Sequence, residues 1–208
     1  GKPVAVLVNY TAHGTIMTED EMLISGGWAG NMQRTVEALL GDDVVCLYTN
    51  GAEGDVSPAG AEGGSRWEMA EDYGRRVGIA ASQLAEQIET KPVETVDFQC
   101  RWVDLPPRKA APNFVEITGA EYHVTQEQLD ALLQGMLPGT APFYAIRIND
   151  FGLVSIPGEP ICAIGLAAKN AMKKGGVQHA CVAGLSGDYI GYILSKEIYN
   201  SGGYEATT

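Results

Sequence analysis

The sequence predicts an α/β fold: a mixed β-sheet covered by helices on both faces, layered as a single domain. Three observations point there. Short apolar runs rich in β-branched residues, at 4–8 and 44–48, are bounded by turn residues. Between such runs lie longer stretches, 28–40 and 67–89, whose apolar positions recur with helical spacing. The 208 residues, 45% hydrophobic and 19% charged, suffice for a substantial buried core.

In chain order, the run VAVLV at 4–8 reads as a buried strand. Beyond it the chain turns small and polar, and His13 follows, then Gly14. A histidine at the mouth of a strand is rigidly placed yet reachable, as a metal ligand or general base must be. A loop histidine held by a neighbour would look the same. The acidic loop 18–21 reads as solvated. Segment 28–40 reads as a helix with Met32, Val36, Leu39 and Leu40 in its stripe and Gly41 placed to end it.

A second buried strand, 44–48, runs into NGAEGDVSP at 50–58. Its glycines and short polar side chains allow tight turns and let backbone N–H groups face a ligand. A plain loop is equally consistent, and neither a Walker lysine nor GxGxxG spacing occurs there. Segment 67–89 reads as a long helix with Met69, Tyr73, Val77, Ala80, Leu84 and Ile88 on one face, closed by Lys91-Pro92. Residues 96–105 read as a strand with Val96, Phe98, Cys100 and Trp102 on one side.

The stretch 108–139 is less regular. Within it, 125–133 reads as a helix in which Thr125 caps and Gln128 reaches back, and His123 reads as an exposed loop residue. Strands 143–148 and 153–156 form a hairpin about 149–152. PGEP at 157–160 breaks it, and a helix over 161–173 follows, with basic residues in its last turn and Gly175-Gly176 after it. Residues 180–185 read as one more buried strand. Four of the nine tyrosines lie between Tyr189 and Tyr204, either as packing groups or as site groups with polar tips.

The net charge of −12, with no basic cluster, disfavours nucleic acid and anionic membrane surfaces. Cys46, Cys100, Cys162 and Cys181 form no CxxC pair, so a structural zinc knuckle is not expected, and three of them read as small buried hydrophobes. No apolar run approaches the roughly 20 residues of a membrane span. No signal peptide is visible, and nothing defines a compartment.

His13, the 50–57 loop, Glu159 and Tyr192 each fall just beyond the C-terminal end of a predicted strand, where ligands bind in α/β sheets. An imidazole, a carboxylate and a phenol make a donor set suited to Zn2+, with a position left open for water.

The segments VNYTAHGTIM, LISGGWAG, NGAEGDVSP, PGEP with its following helix, and GDYIGYILSKEIYNSGGYE occur in that order. Together they resemble the neutral (non-lysosomal) ceramidase family, zinc-dependent amide hydrolases. The resemblance implies that His13, Glu159 and Tyr192 are zinc ligands. It implies that Tyr204 contacts the amide and stabilises the oxyanion, and that Ser57 lies in the site. It leaves open whether Ser57 or a water on zinc attacks. The family's HxH segment has no counterpart around His13, His123 or His179, and Gly14 stands where the family has proline. The interval from His13 to Ser57 is short, and the family's C-terminal sandwich domain has no counterpart. Residues 1–208 are therefore expected to be the C-terminal portion of a ceramidase-like catalytic domain, completed by an upstream segment or a second polypeptide.

The implied activity is zinc-dependent hydrolysis of a linear N-acyl amide, sphingolipid-like in kind, with no stable membrane insertion. Against it stands a non-catalytic binding or structural module that keeps the fold. A third reading, an enzyme cradling a phosphate or sugar ligand in the 50–55 loop, is opposed by the charges of Glu53 and Asp55.

Overall fold

The computed structural model describes residues 3–41, 43–107, 116, 123–136 and 138–207. The fold is mixed α/β, as the sequence predicts, and it divides into two compact units, Gly1–Val93 and Glu94–Thr208.

The first unit is built on a strand–helix–strand crossover. Strand β1 (Ala5–Tyr10), helix α1 (Gly27–Leu40) and strand β2 (Val45–Asn50) are followed by helix α2 (Arg66–Ala85). β1 and β2 run parallel, in register from Ala5↔Val45 to Tyr10↔Asn50. Side chains alternate across a strand. Val6, Val8 and Tyr10 accordingly meet the core with Cys46 and Tyr48, while Leu7, Val45 and Leu47 are exposed. The strands expected to be buried thus bury only one face, the one that carries the core.

α1 buries Trp28, Met32 and Val36, one residue per turn, and leaves the expected stripe residue Leu39 exposed. Gly41 ends it at φ +120°, a backbone conformation suited to glycine. α2 starts at a reciprocal capping box between Ser65 and Glu68. Its buried side is Ala70, Tyr73, Gly74, Gly78 and Ser82, while Leu84 and Ile88 are exposed. The expected apolar face was displaced because α1 crosses this helix at its smallest residues. A Cβ on Gly74 would collide with the Trp28 carbonyl, and one on Gly78 would lie 2.6 Å from Thr35 Cβ. In the core, the Trp28 ring meets Tyr10, Tyr48 and Tyr73 edge-on at 5.4–5.5 Å.

The second unit runs β3 (Val96–Asp104), α3 (Gln126–Met136), β4 (Thr140–Ile148), β5 (Phe151–Ser155), β6 (Glu159–Pro160), α4 (Cys162–Lys174), β7 (His179–Ala183), β8 (Tyr192–Ile193), α5 (Lys196–Ser201) and α6 (Tyr204–Thr207). Among the described residues the strand order is β3-β4-β5-β7, antiparallel except for the parallel β5/β7 pair, with β6 and β8 pairing apart. The predicted cap of α3 is present: Gln128 N–H donates to Thr125 Oγ1 at 3.3 Å, and Thr125 N–H to Gln128 Oε1 at 2.9 Å. The hairpin turns at Asn149, whose φ is +51° and whose Oδ1 accepts from the N–H groups of Glu94 and Thr95.

β3 is exposed along its length, Phe98 and Trp102 included. Cys46 is buried, Cys181 half-buried, and Cys100 and Cys162 exposed, so fewer cysteines are buried than the three expected. Among the described residues no helix is long and apolar enough to cross a membrane.

Candidate functional site

In the first unit, the parallel pairing of β1 and β2 delivers both strand ends to one edge, and side chains there tie the two following loops together. The Asn50 carboxamide grips the Ala12 main chain in both directions. Ala12 N–H donates to Oδ1 at 3.2 Å, and Nδ2–H donates to the Ala12 carbonyl at 3.1 Å. Oδ1 also accepts from Gly51 N–H at 2.9 Å. Gly51 must lack a side chain, because a Cβ there would strike Thr11.

The next residue, His13, is half-buried. Its N–H donates to the Val56 carbonyl at 2.9 Å, its carbonyl accepts from the Trp28 indole at 2.8 Å, and its Nε2 lies 3.4 Å from the Gly54 carbonyl. Ser57, exposed, follows Val56 directly, so His13 and Ser57 sit on loops bonded to each other. Glu53 is wholly enclosed in the same loop, and after burial itself its charge is the main influence pushing the Tyr48 hydroxyl pKa up. Asn50 lay in the candidate 50–57 loop and Trp28 in the LISGGWAG segment, but the sequence assigned neither a role of its own.

In the second unit, β6 and β8 make a two-residue parallel ladder in which Glu159 and Tyr192 are register partners. They were expected in loops beyond strand ends; the ladder places them side by side instead. Glu159 N–H donates to the Gly191 carbonyl at 3.0 Å, Ile161 N–H to the Ile193 carbonyl at 3.2 Å, and Ile190 N–H to the Pro157 carbonyl at 2.8 Å. Gly158 permits this approach, since a Cβ there would collide with the Gly191 carbonyl.

Burial, then the charge of Glu159 and a hydrogen bond with its carboxylate, push the Tyr192 hydroxyl pKa up, so it stays a protonated phenol. The Tyr204 ring stands edge-on to Tyr192 at 6.0 Å. Tyr189, to which the sequence assigned no role, donates its hydroxyl to Glu159 Oε1 at 2.6 Å. Glu159, Tyr189, Tyr192 and Tyr204 thus form one carboxylate–phenol cluster. Of the predicted site residues, His13 and Ser57 belong to the first unit and Glu159, Tyr192 and Tyr204 to the second. Among the described residues no three of His, Cys, Asp and Glu gather as a metal-binding group. His123 lies in an exposed turn and His179 is exposed at the start of β7, outside both clusters.

The molecule is therefore a mixed α/β protein with a clamped histidine loop in one unit and an acid–phenol cluster in the other. Solved structures narrow the class. The neutral ceramidase from Pseudomonas aeruginosa matches with a TM-score of 0.77 at 18% identity, over 98% of this chain and 40% of that chain. A ceramidase complexed with C2 matches with a TM-score of 0.78 at 17% identity, over 98% of this chain and 42% of that chain. The fold is ceramidase-like, and the chain spans about two fifths of the length of those structures. No family model and no curated protein matches the sequence.

Proposed function

We propose that this chain carries part of the active site of a zinc-dependent hydrolase of linear N-acyl amides, with a sphingolipid-like substrate. The observation that carries the reading is the convergence of Glu159, Tyr192 and Tyr204 within a ceramidase-like fold. A carboxylate and a phenol are oxygen donors that suit a divalent cation. They are one fewer than the three protein ligands of a typical catalytic zinc, and the imidazole of His13 is the proposed third. A bound zinc ion supplies Lewis acidity, which polarises a carbonyl and lowers the pKa of water.

The chain's own residues have separable tasks in this reading. Glu159 and Tyr192 hold the cation through oxygens that the backbone ladder keeps adjacent. Tyr204, next to Tyr192 and exposed, offers a hydroxyl to the amide oxygen as negative charge develops there. Ser57 lies on the loop bonded to the His13 backbone and acts on the substrate, either by positioning it or by attacking it.

The test is the zinc content of the intact protein, together with its hydrolysis of N-acyl amides, for the parent and for His13→Ala and Glu159→Ala. About one zinc per chain is expected in the parent. Each variant is expected to lose both metal and turnover. Zinc retained by both variants overturns the ligand assignment. Absence of metal and of hydrolysis in the parent favours the non-catalytic module.

A further inference from the structure

Among the described residues, β3 is the outer strand of its sheet, paired with β4 on one side only. All of its residues are exposed. The strand at the other end of that sheet, β7, instead buries Val182 and Ala183. An outer strand presents a row of main-chain donors and acceptors, and proteins commonly guard it with proline, lysine, a bulge or a very short length. The β3 sequence, VDFQCRWVD, contains neither proline nor lysine, and it stays in unbroken register with β4 from Val96↔Ile148 to Asp104↔Thr140.

The bonds at the two ends of β3 fix which groups face outward. The Thr95 carbonyl accepts from Asn149 N–H at 3.0 Å, and Leu105 N–H donates to the Gly139 carbonyl at 2.9 Å. Main-chain direction alternates along an antiparallel strand, so the odd-numbered residues bond β4. The N–H and C=O groups of Val96, Phe98, Cys100 and Trp102 therefore face the open edge.

The charges select an occupant. Asp97 and Arg101 lie on the same face of β3, both exposed and opposite in sign. Arg147, across from Asp97 on β4, donates its Nε–H to the Asn149 carbonyl at 2.9 Å. When two β3 strands pair antiparallel about Gln99, Asp97 of each lies opposite Arg101 of the other, an arrangement that stabilises a sheet. Phe98 then pairs with Cys100 and Val96 with Trp102, through the outward-facing groups and with apolar side chains beside apolar ones. Only Glu94 and Asp104, at the ends of the ribbon, set like charges opposite. Centring on Asp97 or Arg101 sets a charge against itself, and centring on Phe98 or Cys100 leaves Asp97 opposite an uncharged residue. We propose that β3 is an interaction edge whose partner is β3 of a second copy of this chain, joined antiparallel about Gln99 into one continuous sheet.

The test is sedimentation equilibrium of the intact protein over about 1–500 µM. The net charge of −12 on each chain opposes association, so the salt is held at about 0.15 M. The samples are the parent, Arg101→Asp, Asp97→Arg, and the two variants mixed. The parent is expected to form dimers as concentration rises. Each variant alone sets like charges opposite and should associate at least about tenfold more weakly. Their equimolar mixture restores opposite signs at both pairs and should regain the parent's dimer. Asp97→Arg also faces Arg147, so the axis is tested without it, by Gln99→Cys in a Cys100→Ser, Cys162→Ser background. Residues at the axis stand about 4.5 Å apart, within disulfide reach, so this variant should oxidise to a covalent dimer. A parent that is monomeric throughout overturns the proposal, and the charges then guard the edge instead. Variants that associate as the parent does, a mixture no better than its components, or no cross-link at position 99 overturn it as well.

Discussion

Replacing Asn50 by alanine tests whether the His13 loop is held by the carboxamide that spans the two strand ends. Ala12 is 1% exposed, so its main-chain groups have no ready access to water once the side chain is gone. The substitution removes the acceptor of Ala12 N–H, the donor to its carbonyl and the acceptor of Gly51 N–H. A buried backbone group left unsatisfied costs about 1–3 kcal/mol, so the two on Ala12 alone give about 2–6 kcal/mol. Asn50→Asp keeps both acceptor contacts but sets a carboxylate oxygen against the Ala12 carbonyl, so it should cost at least as much as the alanine variant.

The assay is urea unfolding followed by tryptophan fluorescence, in a background where Trp67 and Trp102 are phenylalanine, because Trp28 donates to the His13 carbonyl and reports on this loop. Hydrogen exchange at His13 N–H, bonded to the Val56 carbonyl, gives a second readout and should quicken in Asn50→Ala. An alanine variant within about 0.5 kcal/mol of the parent refutes the clamp. An aspartate variant clearly milder than alanine refutes the part played by the Nδ2 donor.

Three further outcomes follow from packing and titration. Gly74→Ala places a methyl 2.6 Å from Asn31 Cβ and 2.8 Å from Met32 N, so the helices must part, at a cost of about 1–3 kcal/mol in urea unfolding. Gly135→Ala, with nothing within 4 Å of the added carbon, should instead stabilise by about 0.5–1 kcal/mol through its effect on helix α3. Burial, and next the hydrogen bond with Tyr10, push the Tyr73 hydroxyl up to about 12 from 10.0, so the folded protein holds this proton more tightly than the unfolded chain does. Its contribution is complete below pH 10 and is lost as pH rises towards 12. The loss amounts to about 2 kcal/mol in unfolding free energy across that interval and should be flattened by Tyr73→Phe.

The sequence was most legible where one local rule decides an element. Helix α1 ends at Gly41 because its stripe runs out at a residue that takes positive φ, and the Thr125–Gln128 box is a short-range device visible as spacing alone. It was least legible where burial is set by a partner element. The face of α2 was expected at Leu84 and Ile88, yet the helix packs through glycine and alanine, because small side chains admit the closest approach and hydrophobic periodicity does not register them.

The site was partly legible for the same reason. Glu159, Tyr192 and Tyr204 were singled out as candidates by motif; Glu159 and Tyr192 adjoin through a ladder too short to leave a strand signature, and the Tyr204 ring lies beside Tyr192. The Tyr189 hydroxyl and the Asn50 amide act through contacts 30 and 38 residues distant in sequence, which no local pattern records.

The two-residue ladder has a wider consequence. The spacing between acid and phenol is inherited from main-chain bonds, so it does not depend on what surrounds them. Substitutions in helices α5 and α6 can therefore remodel the surroundings of the pair while its main-chain register stays unchanged. In the function proposed above, ligand choice would diverge around this fixed pair, and exchanging the flanking segments is a direct route to altered specificity without rebuilding it.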